Sequence, residues 1–184
     1  MPETGSRERA TKFARIEAEA RGFGLEVAKM DRDRPWGGFL RFDRDSLDAF
    51  RKAYWQEGLT EHWDKMLARI WAELEASSDG PGLDAKLLLL APGQRLSLQS
   101  HERRSELWRV LEGPLTVVMG PDPETLSDHE ARTGEVVYIP CGCCHRGAAS
   151  PTGWAIVAEF WRHEDTDHPS TEADVVRYAD DYDR

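Results

Sequence analysis

Four residues in this chain have the types and the spacing to hold a divalent metal: Gln99, His101, Glu106 and His145. On an extended strand, residues i and i+2 point to the same side, so Gln99 and His101 can converge on one point inside a β-barrel. Glu106 opens the next extended segment after a short turn through Arg103-Arg104-Ser105 and can reach that point from the neighbouring strand. His145 follows Pro140-Cys141-Gly142, a turn from which a further strand starts. Two imidazoles, a carboxylate and an amide oxygen make a partial shell for one first-row divalent ion (Zn, Mn, Fe or Ni), with positions left for water or substrate. Each residue alone is weak evidence, since a lone strand His is more often structural and a Glu beside a turn is usually solvated. Their joint spacing carries the expectation.

A second chemical cluster, Cys141-Gly142-Cys143-Cys144-His145, holds all three cysteines. Cys141-x-x-Cys144-His145 matches the pattern for covalent haem attachment, a reading that requires export. Residues 1–19 are charged throughout and contain no apolar export segment, so the expectation is a cytoplasmic protein with a reduced, small-residue turn here. A zinc or redox pair would need a second ligand cluster at matching spacing, and the sequence offers none.

The elements that must position these groups change character along the chain. Residues 3–21 read as a helix with Phe13, Ile16 and Ala20 at helical spacing, stopped by Gly22 and Gly24. Residues 25–30 read as a short strand, and Arg34 to Phe42 as a turn leading into an extended segment. Ser46 is placed to cap a helix that ends at Gly58, and Thr60 to cap another running to about Ala76. Trp63, Leu67, Ile70, Trp71 and Leu74 line one face of that second helix, a stripe that suits a core better than a ligand site. Residues 77–82 are a loop. After Gly82, short apolar runs alternate with turn signals at intervals of about ten residues, which is the texture of an all-β sandwich or barrel. Strands are expected near 85–91, 95–101, 106–112, 114–119, 135–139, 144–149 and 154–161, and 171–184 as an irregular charged arm.

Composition narrows the function classes. With 184 residues, 40% of them hydrophobic and 32% charged, the chain can build one core, so a disordered tail is excluded. The longest apolar run, Leu87–Ala91, is of strand length and cannot span a bilayer. A formal charge of −10 argues against a general nucleic-acid or anionic-membrane binder. An anionic small molecule remains compatible if cations gather locally.

Two gapped motifs add a resemblance. Gly93-x5-Gln99-x-His101-x4-Glu106-x6-Gly113 resembles the first cupin motif, with Gln in place of its first His, and Gly134-x5-Pro140-x-Gly142-x2-His145 resembles the second, with Ala149 where an Asn is often found. Arg34-Pro35-Trp36-Gly37, residues 92–101, Val137-Tyr138-Ile139-Pro140 and residues 175–184 follow in order, and this series is similar to the cupin module of type II phosphomannose isomerases. The resemblance implies a mainly β fold, a double-stranded β-helix or jelly-roll barrel, over residues 82–184. Residues 1–81 would be an N-terminal helical extension with a helical insert packed on it, in one structural domain. The insert at about 46–77 has no counterpart in the short family module and could reshape the barrel mouth.

The implied activity is metal-dependent aldose–ketose isomerisation of a sugar phosphate, most like mannose-6-phosphate/fructose-6-phosphate interconversion through a cis-enediol. The competing readings are a non-catalytic cupin that binds a sugar or nucleotide sugar, and a non-haem iron dioxygenase, which Gln99 disfavours. For the proton transfer, Glu106 could leave the metal shell, or Glu159 could serve. Glu159 is oddly polar within Ile156-Val157-Ala158-Glu159-Phe160-Trp161, and the alternative places it on the outer face. For the phosphate, Arg95 shares strand parity with Gln99 and should face the cavity, with Lys86, Arg177 and Arg184 as further candidates. The alternative pairs these arginines with Asp180 and Asp181 as structural ions. Barrels of this kind pair through edge strands, so a homodimer is expected, with no nucleic-acid or membrane partner.

Overall fold

A computed structural model of the chain describes residues 2–55, 61–75, 83–165 and 167–182, with side chains described from 5 and, in the second helical stretch, over 65–72. The first helix, α1 (Pro2–Gly22), buries Phe13, Ile16 and Ala20 along one stripe. It ends in a Schellman-type turn. Leu25 N–H reaches the Ala20 carbonyl at 3.1 Å and Gly24 N–H reaches that of Arg21 at 2.9 Å, with Gly24 at φ 78°.

Strands β1 (Val27–Arg34) and β2 (Gly37–Phe42) form a hairpin, and α2 (Leu47–Tyr54) and α3 (Glu61–Glu75) follow. Then come β3 (Leu83–Leu90), β4 (Leu98–Ser100), β5 (Arg104–Glu112), β6 (Leu115–Gly120), β7 (Ser127–Ala131), β8 (Val136–Ile139), β9 (Cys144–Ala149), β10 (Ala155–His163) and β11 (Val176–Ala179). They build a six-stranded sheet in the order β1-β2-β3-β10-β5-β8 and a five-stranded sheet in the order β11-β4-β9-β6-β7. The ladders are antiparallel, and the fold is the expected mainly β cupin barrel with an N-terminal helix.

Strand parity explains why β3, β5 and β10 are buried on both faces. Leu88, Leu90, Trp108, Val110 and Val157 point into the barrel core with Leu115 and Val117 of the opposite sheet. Their sequence neighbours Leu87, Leu89, Leu107, Ala158 and Phe160 point outward, where Phe13, Phe50, Trp55, Leu67 and Ile70 cover them. The helical insert is therefore the lid of the sheet's outer face, with Phe160 ringed by Phe50, Trp55 and Trp71 at centroid distances of 5.0–5.3 Å. Its described side chains pack on the side of the sheet away from the barrel interior.

Several local expectations are corrected. Ser46 stands at the N-cap of α2 as expected, but its hydroxyl makes no cap bond and instead accepts the Glu26 N–H at 3.0 Å, tying the helical turn to the hairpin. The expected strand 95–101 is regular only at Leu98–Ser100, with an isolated bridge from Arg95 to Ala148. Strand β7 was not anticipated because four of its five residues are exposed and polar, which leaves no alternation to read. The charged arm contributes β11, which pairs with β4 at the sheet edge. Gly58, Thr60 and the 77–82 loop lie outside the described residues, as do the side chains of Trp63 and Leu74.

Candidate metal centre and its cavity

The two sheets meet at the predicted ligands. Gln99 on β4 stands directly across from His145 on β9, and His101 follows at the end of β4. Glu106 comes from β5 in the other sheet, facing them across the barrel. Ligand atoms of His101, Glu106 and His145 lie within 4.8 Å of one another, and all three residues are at most 2% exposed. Glu106 Oε1 is 3.2 Å from His101 Nε2, and Oε2 is 3.4 Å from His145 Nε2.

The tautomers follow from the partners. His145 Nδ1 donates to the Cys143 carbonyl at 3.0 Å, and His101 Nδ1 donates to the Asp174 carbonyl. A carbonyl only accepts, so each Nδ1 carries a proton and Nε2 is the ring nitrogen that each histidine turns into the cluster. His145 Nε2 is buried with no hydrogen-bond partner. Burial, the largest influence, pushes His101 down to about 4 and keeps it neutral. Burial pushes Glu106 up, but the neighbouring His145 and the charge of Arg104 outweigh it and hold this carboxyl well below the usual range. Two imidazoles whose Nδ1–H groups are held by backbone carbonyls and one carboxylate are a donor set that fits a divalent metal, and an orphaned buried Nε2 is what such a site needs. Gln99 Oε1 accepts from Ser97 Oγ at 2.8 Å while its Nε2 lies 3.2 Å from His101 Nε2. Turned over, the amide would keep its bond to Ser97, whose hydroxyl accepts as readily as it donates, and would offer Oε1 to the cluster.

Next to the ligands lies a ladder of buried polar groups. In register across three strands stand Lys86 on β3, Glu159 on β10 and Trp108 on β5. Trp108 Nε1 donates to both Glu106 Oε2 (3.1 Å) and Glu159 Oε1 (3.0 Å). Glu159 therefore faces inward, and the outer-face alternative is discarded. Burial first, and then the charge of Glu106, raise its carboxyl to about 8. Lys86 Nζ donates to Glu172 at 2.8 Å and sits 3.4 Å from the centre of the Trp161 ring.

A cavity of about 240 Å³ opens onto these groups, lined by His101, Glu106, Glu159 and Lys86, with Lys29, Arg34 and Arg177 among its more exposed walls. Arg95 does not line it. Residues 95–97 depart from regular strand, so the parity of Gln99 fails to carry back to Arg95, whose guanidinium instead holds Asp181. The structural pairing expected for an arm aspartate is met there. Arg184 lies outside the described residues. The three thiols are free, and burial pushes those of Cys141 and Cys143 up, away from the thiolate that zinc ligation requires. Cys141 Sγ donates to the Glu102 carbonyl at 3.0 Å, a turn-to-turn contact under His101.

Two positioning residues were missed in the sequence. Arg104 was placed in a turn, but β5 begins with it, so it shares the inward parity of Glu106. Asp174 accepts the backbone N–H groups of Glu102 and Arg103 at 3.2 and 3.1 Å and the Ser170 hydroxyl at 2.6 Å, which fixes the carbonyl that holds His101. Nothing local to residue 174 announces a contact made some seventy residues away.

Residues 56–156 match the family described as mannose-6-phosphate isomerase C-terminal. The chain belongs to this family. Among curated relatives of this isomerase C-terminal family member, the xanthan biosynthesis protein XanB of Xanthomonas campestris pv. campestris is 31% identical over 84 residues, 46% of this chain and 17% of XanB. The mannose-1-phosphate guanylyltransferase of Escherichia coli K12 is 28% identical over 150 residues, 77% of this chain and 29% of that enzyme. The chain thus spans less than a third of these relatives. Among solved structures, the capsular polysaccharide assembling protein CapF of Staphylococcus aureus aligns with a TM-score of 0.50 at 14% identity, covering 83% of this chain and 31% of CapF, a likeness of fold alone. The relatives tie this cupin to sugar-phosphate enzymes. No helix among the described residues is long and apolar enough to cross a membrane.

Proposed function

We propose that this chain is a metal-dependent aldose–ketose isomerase of a sugar phosphate, most like the mannose-6-phosphate/fructose-6-phosphate pair. The observation that carries this reading is the protonatable carboxyl of Glu159 beside a His101–Glu106–His145 ligand set in one cavity. A divalent ion held there would supply Lewis-acid stabilisation of charge on two adjacent substrate oxygens.

The chain's own residues divide the remaining work. Glu106 has both oxygens engaged, one with Arg104 and one with Trp108, which suits a fixed ligand and leaves Glu159 to move the proton between C1 and C2. A carboxyl raised to about 8 takes up and releases a proton near neutral pH. Trp108 Nε1 holds Glu159 in position, and Lys86 balances its charge when it ionises. Lys29, Arg34 and Arg177 line the wall where a phosphate would sit, and this replaces Arg95 in that role.

The test follows mannose-6-phosphate to fructose-6-phosphate conversion by the metal-reloaded full chain, His101→Ala and Glu159→Gln. Metal-dependent turnover lost in both variants supports the reading. Stoichiometric metal binding without conversion of common sugar phosphates would refute it and favour a sugar-binding cupin, and oxygen consumption by an iron-loaded protein would favour the dioxygenase.

A further inference from the structure

The guanidinium of Arg104 is bound more heavily than a structural ion pair requires. Its residue is 4% exposed and lines the cavity. Nε donates to Glu106 Oε1 at 2.9 Å, and Nη1 to Ser170 Oγ at 3.0 Å and the Thr171 carbonyl at 3.2 Å. Its carbon lies 3.6 Å from the centre of the Trp161 ring. The remaining nitrogen, Nη2, donates to His101 Nε2 at 3.0 Å.

That last contact conflicts with metal binding. The His101 proton is on Nδ1, held by the Asp174 carbonyl, so Nε2 has a single lone pair. The pair can accept a hydrogen bond from Arg104 or bind a metal, and it cannot do both. We propose that Arg104 competes with the metal for His101 Nε2, and that metal binding releases Nη2 to donate to a substrate oxygen beside the ion. The other contacts of Arg104 need not break. Nε and Nη1 stay anchored to Glu106 and to the arm, and the plane stays stacked on Trp161, so only Nη2 changes partner. Arg104 is then a positioning residue that lowers metal affinity and places a fixed donor next to the reacting oxygens. The second half rests on the isomerase reading in taking the recipient to be a substrate oxygen.

Two binding measurements on the metal-stripped full chain test this without turnover. In the first, Mn²⁺ and Zn²⁺ affinities are read by competition with a chromophoric chelator for the wild type, Arg104→Gln and Arg104→Lys. Losing an ordinary outer-shell partner weakens metal binding by about 10–100-fold. Loss of a competitor has the opposite sign, so we expect Arg104→Gln to bind about tenfold more tightly, by the same scale. Arg104→Lys, which keeps the charge but cannot span Glu106 and His101, should fall between, and it decides the question should the Gln variant not fold. Unchanged or weaker metal binding in the folded variants overturns the competition. In the second, the metal-saturated proteins are titrated with oxalate, a planar anion with two adjacent oxygens. Binding weaker by about tenfold in the variants, of the order expected for a lost charged hydrogen bond, supports the released donor. Equal oxalate affinity overturns it. Failure of sugar-phosphate turnover alone would strike the isomerase reading and leave both results standing.

Discussion

Glu159→Gln should stabilise the metal-free protein in a pH-dependent way while abolishing the proposed turnover. The carboxyl is 3% exposed, and burial with the charge of Glu106 raises it from 4.5 to about 8. A group whose folded pKa lies above its unfolded value binds more protons in the native state. Its stabilising contribution is complete below about pH 4.5 and is lost as the pH rises through 8. Each pH unit inside that window removes up to about 1.4 kcal/mol. Between pH 5.5 and 8 the loss is about 3 kcal/mol, with the favourable charge of Lys86, across the strand, already contained in that value. Glutamine keeps the shape and the acceptor for Trp108 Nε1 but cannot ionise. Urea denaturation of the metal-stripped wild type and variant at pH 5.5, 7 and 8.5 therefore should show a gap that widens with pH in favour of Gln. A gap independent of pH would mean that Glu159 is ionised throughout as the partner of Lys86, and the assignment of Glu159 as proton carrier would fall with it.

Other substitutions separate the outer face from the site. Phe160→Ala removes the aromatic ring that Phe50, Trp55 and Trp71 enclose, and should cost about 3–5 kcal/mol in chemical denaturation while metal stoichiometry stays the same. Gly147→Ala would put a Cβ 3.1 Å from the Trp108 ring and 3.3 Å from Leu115. The expected cost is about 1–3 kcal/mol, with a shift in tryptophan emission as the indole leaves Glu159. Asp174→Ala frees two backbone N–H groups and loosens the carbonyl that holds His101. Metal affinity should drop by about 10–100-fold, measured by chelator competition.

The sequence was informative where a rule of period two operated over a regular strand. Gln99, His101, Glu106 and His145 converge because β4, β5 and β9 keep their alternation at those positions. The same rule failed at Arg95, four residues before Gln99, because residues 96 and 97 are irregular and Arg95 makes only an isolated bridge. It also failed at Arg104, where a run of charged residues looked like a turn while the strand had already begun. The helical insert was legible as helix, but its place was not. Which face of β3 and β10 it would cover depends on both faces being apolar, and a continuous apolar run such as Leu87–Leu90 does not say what lies on either side. The arm's role was hidden for a different reason. Ser170, Glu172 and Asp174 act across long sequence separations, and a charged segment reads the same whether it is solvated or folded back on a buried site.

Charge balance inside the barrel explains why the carboxyl that stays protonated is Glu159. Among the buried groups that line the cavity, two carboxyls, Glu106 and Glu159, face two cations, Arg104 and Lys86, and the half-exposed Glu172 also draws on Lys86. Arg104 bonds Glu106 directly at 2.9 Å, and Lys86 bonds Glu172 at 2.8 Å. Glu159 is left with an indole N–H, a neutral donor, and with Glu106 on the other side of the same indole. A buried carboxylate with no cation bonded to it is expensive, so the proton resides there. Shifting either cation would shift that proton. Lys86→Met should raise the Glu159 carboxyl further by removing the positive charge that lowers it most, and would move any turnover that needs ionised Glu159 to higher pH. Were the pH profile to stay in place, the working base would have to be a different group.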